Sequence, residues 1–107
     1  MAIKEALRDE LKNSLRILER YEQELNQLPL GSLNRKKINS KHYYYIQHRE
    51  GDRVFSEYLG SAAKIPQDEV DRWNKIKRKR KNYRHSISKL KRQIKFLKGV
   101  LRGKEPI

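Results

Sequence analysis

Trp73, Ile76, Arg80, Tyr83, Ile87, Leu90, Ile94, Leu97 and Leu101 follow one another at alternating spacings of three and four residues. That alternation holds one stripe on one side of an α-helix through successive heptads, and only Arg80 breaks its apolar character. A helix over 66–102 is roughly 55 Å long at about 1.5 Å per residue and cannot bury such a stripe alone. The partner lies upstream. From Ile3 to Leu28 the chain has neither Pro nor Gly, and Leu11, Leu18 and Leu25 recur every seven residues. Leu7, Tyr21 and Leu28 take the companion position, Leu15 widens the stripe, and the polar Lys4 and Ser14 weaken its beginning. The spacing predicts a helix over 3–28, ended by Pro29 and Gly31.

Helix signals also mark the ends of the second element. Pro66 suits a first helical position, and Gln67, Asp68, Glu69 and Asp71 follow it, with their carboxylates where the helix dipole favours negative charge. Gly99 and Gly103 mark a fraying end.

Between the helices the period changes to two. Leu33–Ile38, His42–His48 and Arg53–Leu59 are short runs rich in β-branched and aromatic residues, separated by the turn-competent pairs Asn39-Ser40 and Gly51-Asp52. A three-stranded meander over 32–60 follows. Two-residue turns place Leu33, Tyr44, Ile46, Phe55 and Leu59 on one face. They place Lys36, Tyr43, Tyr45, Gln47 and Tyr58 on the other. The expected architecture is α+β, in the order α-βββ-α. Two long helices pair antiparallel as a coiled coil, with the meander inserted between them in a single domain spanning 1–107. Part of the second helix overhangs the first, which makes a homodimer through the C-terminal helix plausible.

Composition narrows the function. A mean hydropathy of -1.06 with 37% charged residues in 107 leaves a thin core and little room for an enclosed catalytic pocket. With no cysteine, disulfides, thiolate metal sites and cysteine nucleophiles are excluded, and a cytoplasmic location is expected. No apolar run reads as a signal peptide or a membrane span. His42, His48 and His85 lack metal-site spacing, and no phosphate loop or nucleophile elbow occurs. The reading is a non-enzymatic protein without a cofactor.

The net charge of +14 is unevenly placed. Residues 1–28 carry 5 basic and 6 acidic side chains, residues 29–65 carry 7 and 3, and residues 66–107 carry 15 and 4. Lys75 to Lys98 holds 12 Lys and Arg and no acid, whereas a solvated coiled-coil exterior ordinarily mixes signs. Such a field attracts polyanions. Lys75, Lys77, Arg78, Lys79, Lys81 and Arg84 are the candidate phosphate contacts. Arg35, Lys36 and Lys37, with Tyr43 and Tyr45, extend them onto the sheet, where aromatic and basic side chains together suit stacking on bases. The alternative for the tyrosines is packing under a helix.

The stretch GSLNRKKINSKHYYYIQHREGDRVFSEYLG, Gly31 to Gly60, resembles the G-S-L, YYY, REG and S-x-Y-L-G pattern of small uncharacterised prokaryotic and phage-type basic proteins, in which a coiled-coil helix lies on either side. The meander is also similar to the N-terminal part of some insertion-sequence transposases. The resemblance implies a phage or mobile-element setting. Because the transposase catalytic carboxylates have no counterpart here, the role it implies is binding rather than strand transfer. Two functions are therefore expected. The first is binding of DNA or RNA through phosphates with little sequence specificity and without a membrane. The second is inhibition or adaptation of a nucleoprotein complex, as an anti-CRISPR-like protein does. A structural coiled-coil oligomer ranks below both.

Overall fold

The computed structural model describes residues 2–103. Its elements are α1 (Ala2–Gln27), β1 (Ser32–Ile38), β2 (Lys41–Glu50), β3 (Arg53–Ser61) and α2 (Gln67–Leu101). The α-βββ-α order matches the expected one, with every boundary within two residues. Two compact units divide the chain. One joins α1 to α2 from Arg80 onward, and the other is Leu28–Lys79, the sheet with the start of α2.

In the helical unit the two seams meet antiparallel. Tyr21 and Tyr83 pack with ring centroids 5.8 Å apart, and Gln93 Nε2 donates to Glu10 Oε1 at 3.4 Å. Ile87, Ile94 and Leu97 are buried, as the alternation of three and four requires. Ser14, at its expected place in the seam, is the most deeply buried side chain of the unit, 2% exposed. One expectation about α1 is corrected. Leu15 is 40% exposed and lines an open groove beside the seam. Tyr83 is held by Glu24, whose hydrogen bond to the phenol is the main cause that raises its pKa above the usual tyrosine value. Arg80 is half-buried in its seam. Burial, and then the charge of Arg84, lower its pKa from the usual arginine value.

In the sheet unit the strands run β1-β2-β3, all antiparallel. Ile38 pairs with Lys41 across Asn39 and Ser40, whose φ values of 51° and 67° make a type I′ turn. Glu50 pairs with Arg53 across Gly51 and Asp52, with φ of 59° at Gly51, the position where a type II′ turn needs glycine. Both two-residue turns are as expected, so the two-face assignment holds. A bulge between Tyr44 and Tyr45 shifts the β3 register near its end. Ile46 and Ile76 are the buried apolar side chains of this unit.

The start of α2 uses its acids locally. The Pro66 carbonyl accepts the Glu69 N–H at 3.1 Å, so Pro66 stands just outside the helix as its cap. Glu69 accepts from the Trp73 indole at 3.1 Å and pairs with Arg72 at 3.4 Å. At the other end the helix runs through Gly99, contrary to the expected fraying there. Only Gly103, with φ of 70°, follows the last turn in the left-handed form.

Candidate nucleic-acid interface

Pairing fixes which side chains share a sheet face. Leu33 stands opposite Ile46, Arg35 opposite Tyr44, Lys37 opposite His42 and Phe55 opposite His48. This face carries the buried Ile46 and both strand carboxylates, Glu50 and Glu57. Lys36 opposite Tyr43, Tyr45 opposite Tyr58 and Gln47 opposite Ser56 make up the other face, with Lys41, Arg49 and Val54. No acid of the strands points to that side, because Glu50 and Glu57 alternate with its members. The two faces therefore differ in electrostatic sign balance.

The run Arg35-Lys36-Lys37 splits for the same reason. Lys36 joins the tyrosines, with its ammonium 4.8 Å from the centre of the Tyr45 ring. Arg35 and Lys37 lie on the Ile46 face, so of the three candidate cations of β1 only Lys36 shares the face of Tyr43 and Tyr45, as expected. Their adjacency in sequence is what separates them, since successive strand residues alternate. Tyr58 sits between Tyr43, at 6.2 Å between centroids, and Tyr45, at 5.4 Å. Tyr58 is 57% exposed. Its place beside Tyr43 and Tyr45 was legible from alternation, and the cations Lys41 and Arg49 on that face follow from the same rule.

On α2, Lys75, Lys77, Arg78 and Lys79 are exposed within the sheet unit, and Lys81 and Arg84 are exposed within the helical unit. Among the described residues none of these six pairs with a carboxylate. Pairing with the acids of α1, the alternative explanation for so many cations, is thus not made by Lys81 and Arg84, which share a unit with α1. Further along α2 a groove of about 520 Å³ has Leu15, Leu18 and Ile94 in its floor and Lys91, Lys95, Lys98 and Arg102 along its rim. A neighbouring groove of about 480 Å³ adds Arg84 and Arg92. Lys91, Lys95, Lys98 and Arg102 recur at three and four residues, each one position past the seam, so they line one side of the helix. Their charge was evident in the sequence. Their gathering along one open groove depends on α1, which supplies Leu15 and Leu18.

Among the described residues no helix is long and apolar enough to cross a membrane. No curated protein and no solved structure matches the chain. One family does, described as "Domain of unknown function (DUF6788)", over residues 3–72. The match covers α1, the whole meander and the first turns of α2, and it stops before Lys75. With about two thirds of its length matched, the chain belongs to that family, Domain of unknown function (DUF6788).

Proposed function

We propose that this is a non-enzymatic nucleic-acid-binding protein, of phage or mobile-element type and cytoplasmic, which grips the phosphate backbone through α2 with little sequence specificity. The observation that carries this reading is the exposed row Lys75, Lys77, Arg78, Lys79, Lys81 and Arg84, unpaired with carboxylates among the described residues. Unpaired surface cations in such density repel one another, and a phosphate chain relieves that repulsion while releasing its own condensed counterions. Lys36 on the sheet adds a further contact. Since phosphates carry no sequence information, discrimination between sequences is small. The test is a titration of a labelled duplex and a labelled single strand at two salt concentrations. Absence of binding at low salt, or tight binding indifferent to salt, defeats the proposal.

A second reading, an inhibitor or adaptor of a nucleic-acid-handling complex, is favoured by strand β3. This edge strand exposes Val54 (57%), Phe55 (41%) and Leu59 (37%), an apolar edge of the kind that pairs with another protein. Capture of partners from a host lysate, with and without nuclease, separates the two. Direct nucleic-acid binding predicts that captured proteins are lost on digestion; a protein that survives digestion supports the adaptor.

A further inference from the structure

We infer that the tyrosine face of the sheet is a stacking platform for the bases of single-stranded nucleic acid, with Tyr58 as its central ring. This rests on the nucleic-acid reading above and names the strand form that the sheet takes.

Three observations lead there. First, the face is open. Tyr58, Val54 and Ile38 are 57%, 57% and 46% exposed, while Tyr43 and Tyr45 are half-buried, so Tyr58 is the exposed ring of this face. Secondly, the ring geometry leaves a stacking surface. Tyr43 meets Tyr58 at 48° and Tyr45 meets it at 61°, so neither neighbour lies flat on it. Both brace it from the side, which fixes the ring without covering it. Thirdly, the face is suited to an anion. Lys36, Lys41 and Arg49 are its charged residues, with the Lys36 ammonium standing over Tyr45. A strand whose base stacks on Tyr58 brings a phosphate toward Lys36.

Beside the rings, Asn34 donates to Gln47 and Gln47 donates to Ser56 at 3.4 Å, a polar row across all three strands of the same face. That row ties the three strands together next to the platform. Stacking of this kind requires an unpaired base, because in a duplex the faces of the bases are already covered by their neighbours. The platform consequently discriminates strand form, while α2 contributes affinity for phosphates of either form.

The experiment is a titration of the full-length protein with an oligothymidine and with a duplex of equal length, at one low salt concentration, for the wild type, Tyr58→Leu and Tyr58→Phe. Tyr58→Leu is expected to weaken oligothymidine binding roughly ten-fold and to leave duplex binding within about two-fold, since removing an aromatic partner takes away base stacking only. Tyr58→Phe keeps the ring and is expected to bind both probes as the wild type does. Circular dichroism of each variant controls for folding, and Tyr58 is exposed enough for both to fold. If Tyr58→Leu folds and binds oligothymidine like the wild type, or weakens both probes equally, the platform is overturned and the phosphate reading of α2 stands. If the wild type binds neither probe at low salt, both fall.

Discussion

Raising the salt from about 50 to about 200 mM is expected to weaken binding of a duplex by roughly a thousand-fold. Lys75, Lys77, Arg78, Lys79, Lys81 and Arg84 are exposed, and among the described residues none pairs with a carboxylate. If each neutralises one phosphate, each displaces condensed counterions, and the logarithm of affinity falls against the logarithm of salt with a slope of about -0.9 per phosphate. Six contacts give a slope near -5 for a duplex and a shallower one, near -4, for a single strand. The comparison between probes matters because an apolar partner on β3 produces almost no such slope. Fluorescence anisotropy at several salt concentrations reads both values directly.

The largest expected loss of stability is at Gly31, in the turn between α1 and β1. Its φ of 106° lies in the region that side chains rarely adopt, and the residue is buried. A Cβ there stands 2.6 Å from Cγ2 of Ile46 and 3.3 Å from the Gln47 carbonyl oxygen. Neither neighbour yields easily, since one is a methyl on the branched carbon of a buried side chain and the other is strand backbone. Gly31→Ala is expected to cost about 2–6 kcal/mol, combining backbone strain of about 1–3 with overpacking of about 1–3. Urea unfolding followed by circular dichroism measures it. Gly51→Ala is the internal comparison: its φ is 59° but nothing lies within 4 Å of the added carbon, so only the backbone cost of about 1–2 kcal/mol applies. Equal losses at the two glycines contradict the packing argument.

Much of the fold was legible because two periods are written into the chain without overlap. The seam from Trp73 to Leu101 and the heptads of α1 define helices that need each other, and the pairs Asn39-Ser40 and Gly51-Asp52 set the strand register through their turn geometry. What remained hidden depends on neighbours that are distant in sequence. Ser14 reads as a weak point in an apolar seam, yet it is the most deeply buried side chain of its unit. Gly99 reads as a stop, but it continues the helix, and nothing approaches its open side within 4 Å. The bulge opposite Tyr44 and Tyr45 leaves Leu59 as the extra residue on β3, beside Gly60, a glycine inside a strand that is its one local signal. The candidate interface was half legible. The acid-free run on α2 is visible in one dimension, whereas the division of Arg35, Lys36 and Lys37 between two faces appears only once register is applied. The same parity puts Glu50 and Glu57 on the face away from Tyr43, Tyr45 and Tyr58, a segregation of charge that composition conceals.

The measurement closest to the central claim is the duplex affinity of a variant carrying Lys75→Glu, Lys77→Glu, Arg78→Glu and Lys79→Glu, compared with the wild type at about 50 mM salt. All four side chains are exposed, so the helix is expected to persist, and circular dichroism verifies it. With α2 as the phosphate-binding element, the variant binds at least a hundred-fold more weakly, and its salt slope is shallower by about four, one for each contact removed. A folded variant that binds the duplex as tightly as the wild type, with the same slope, contradicts the account.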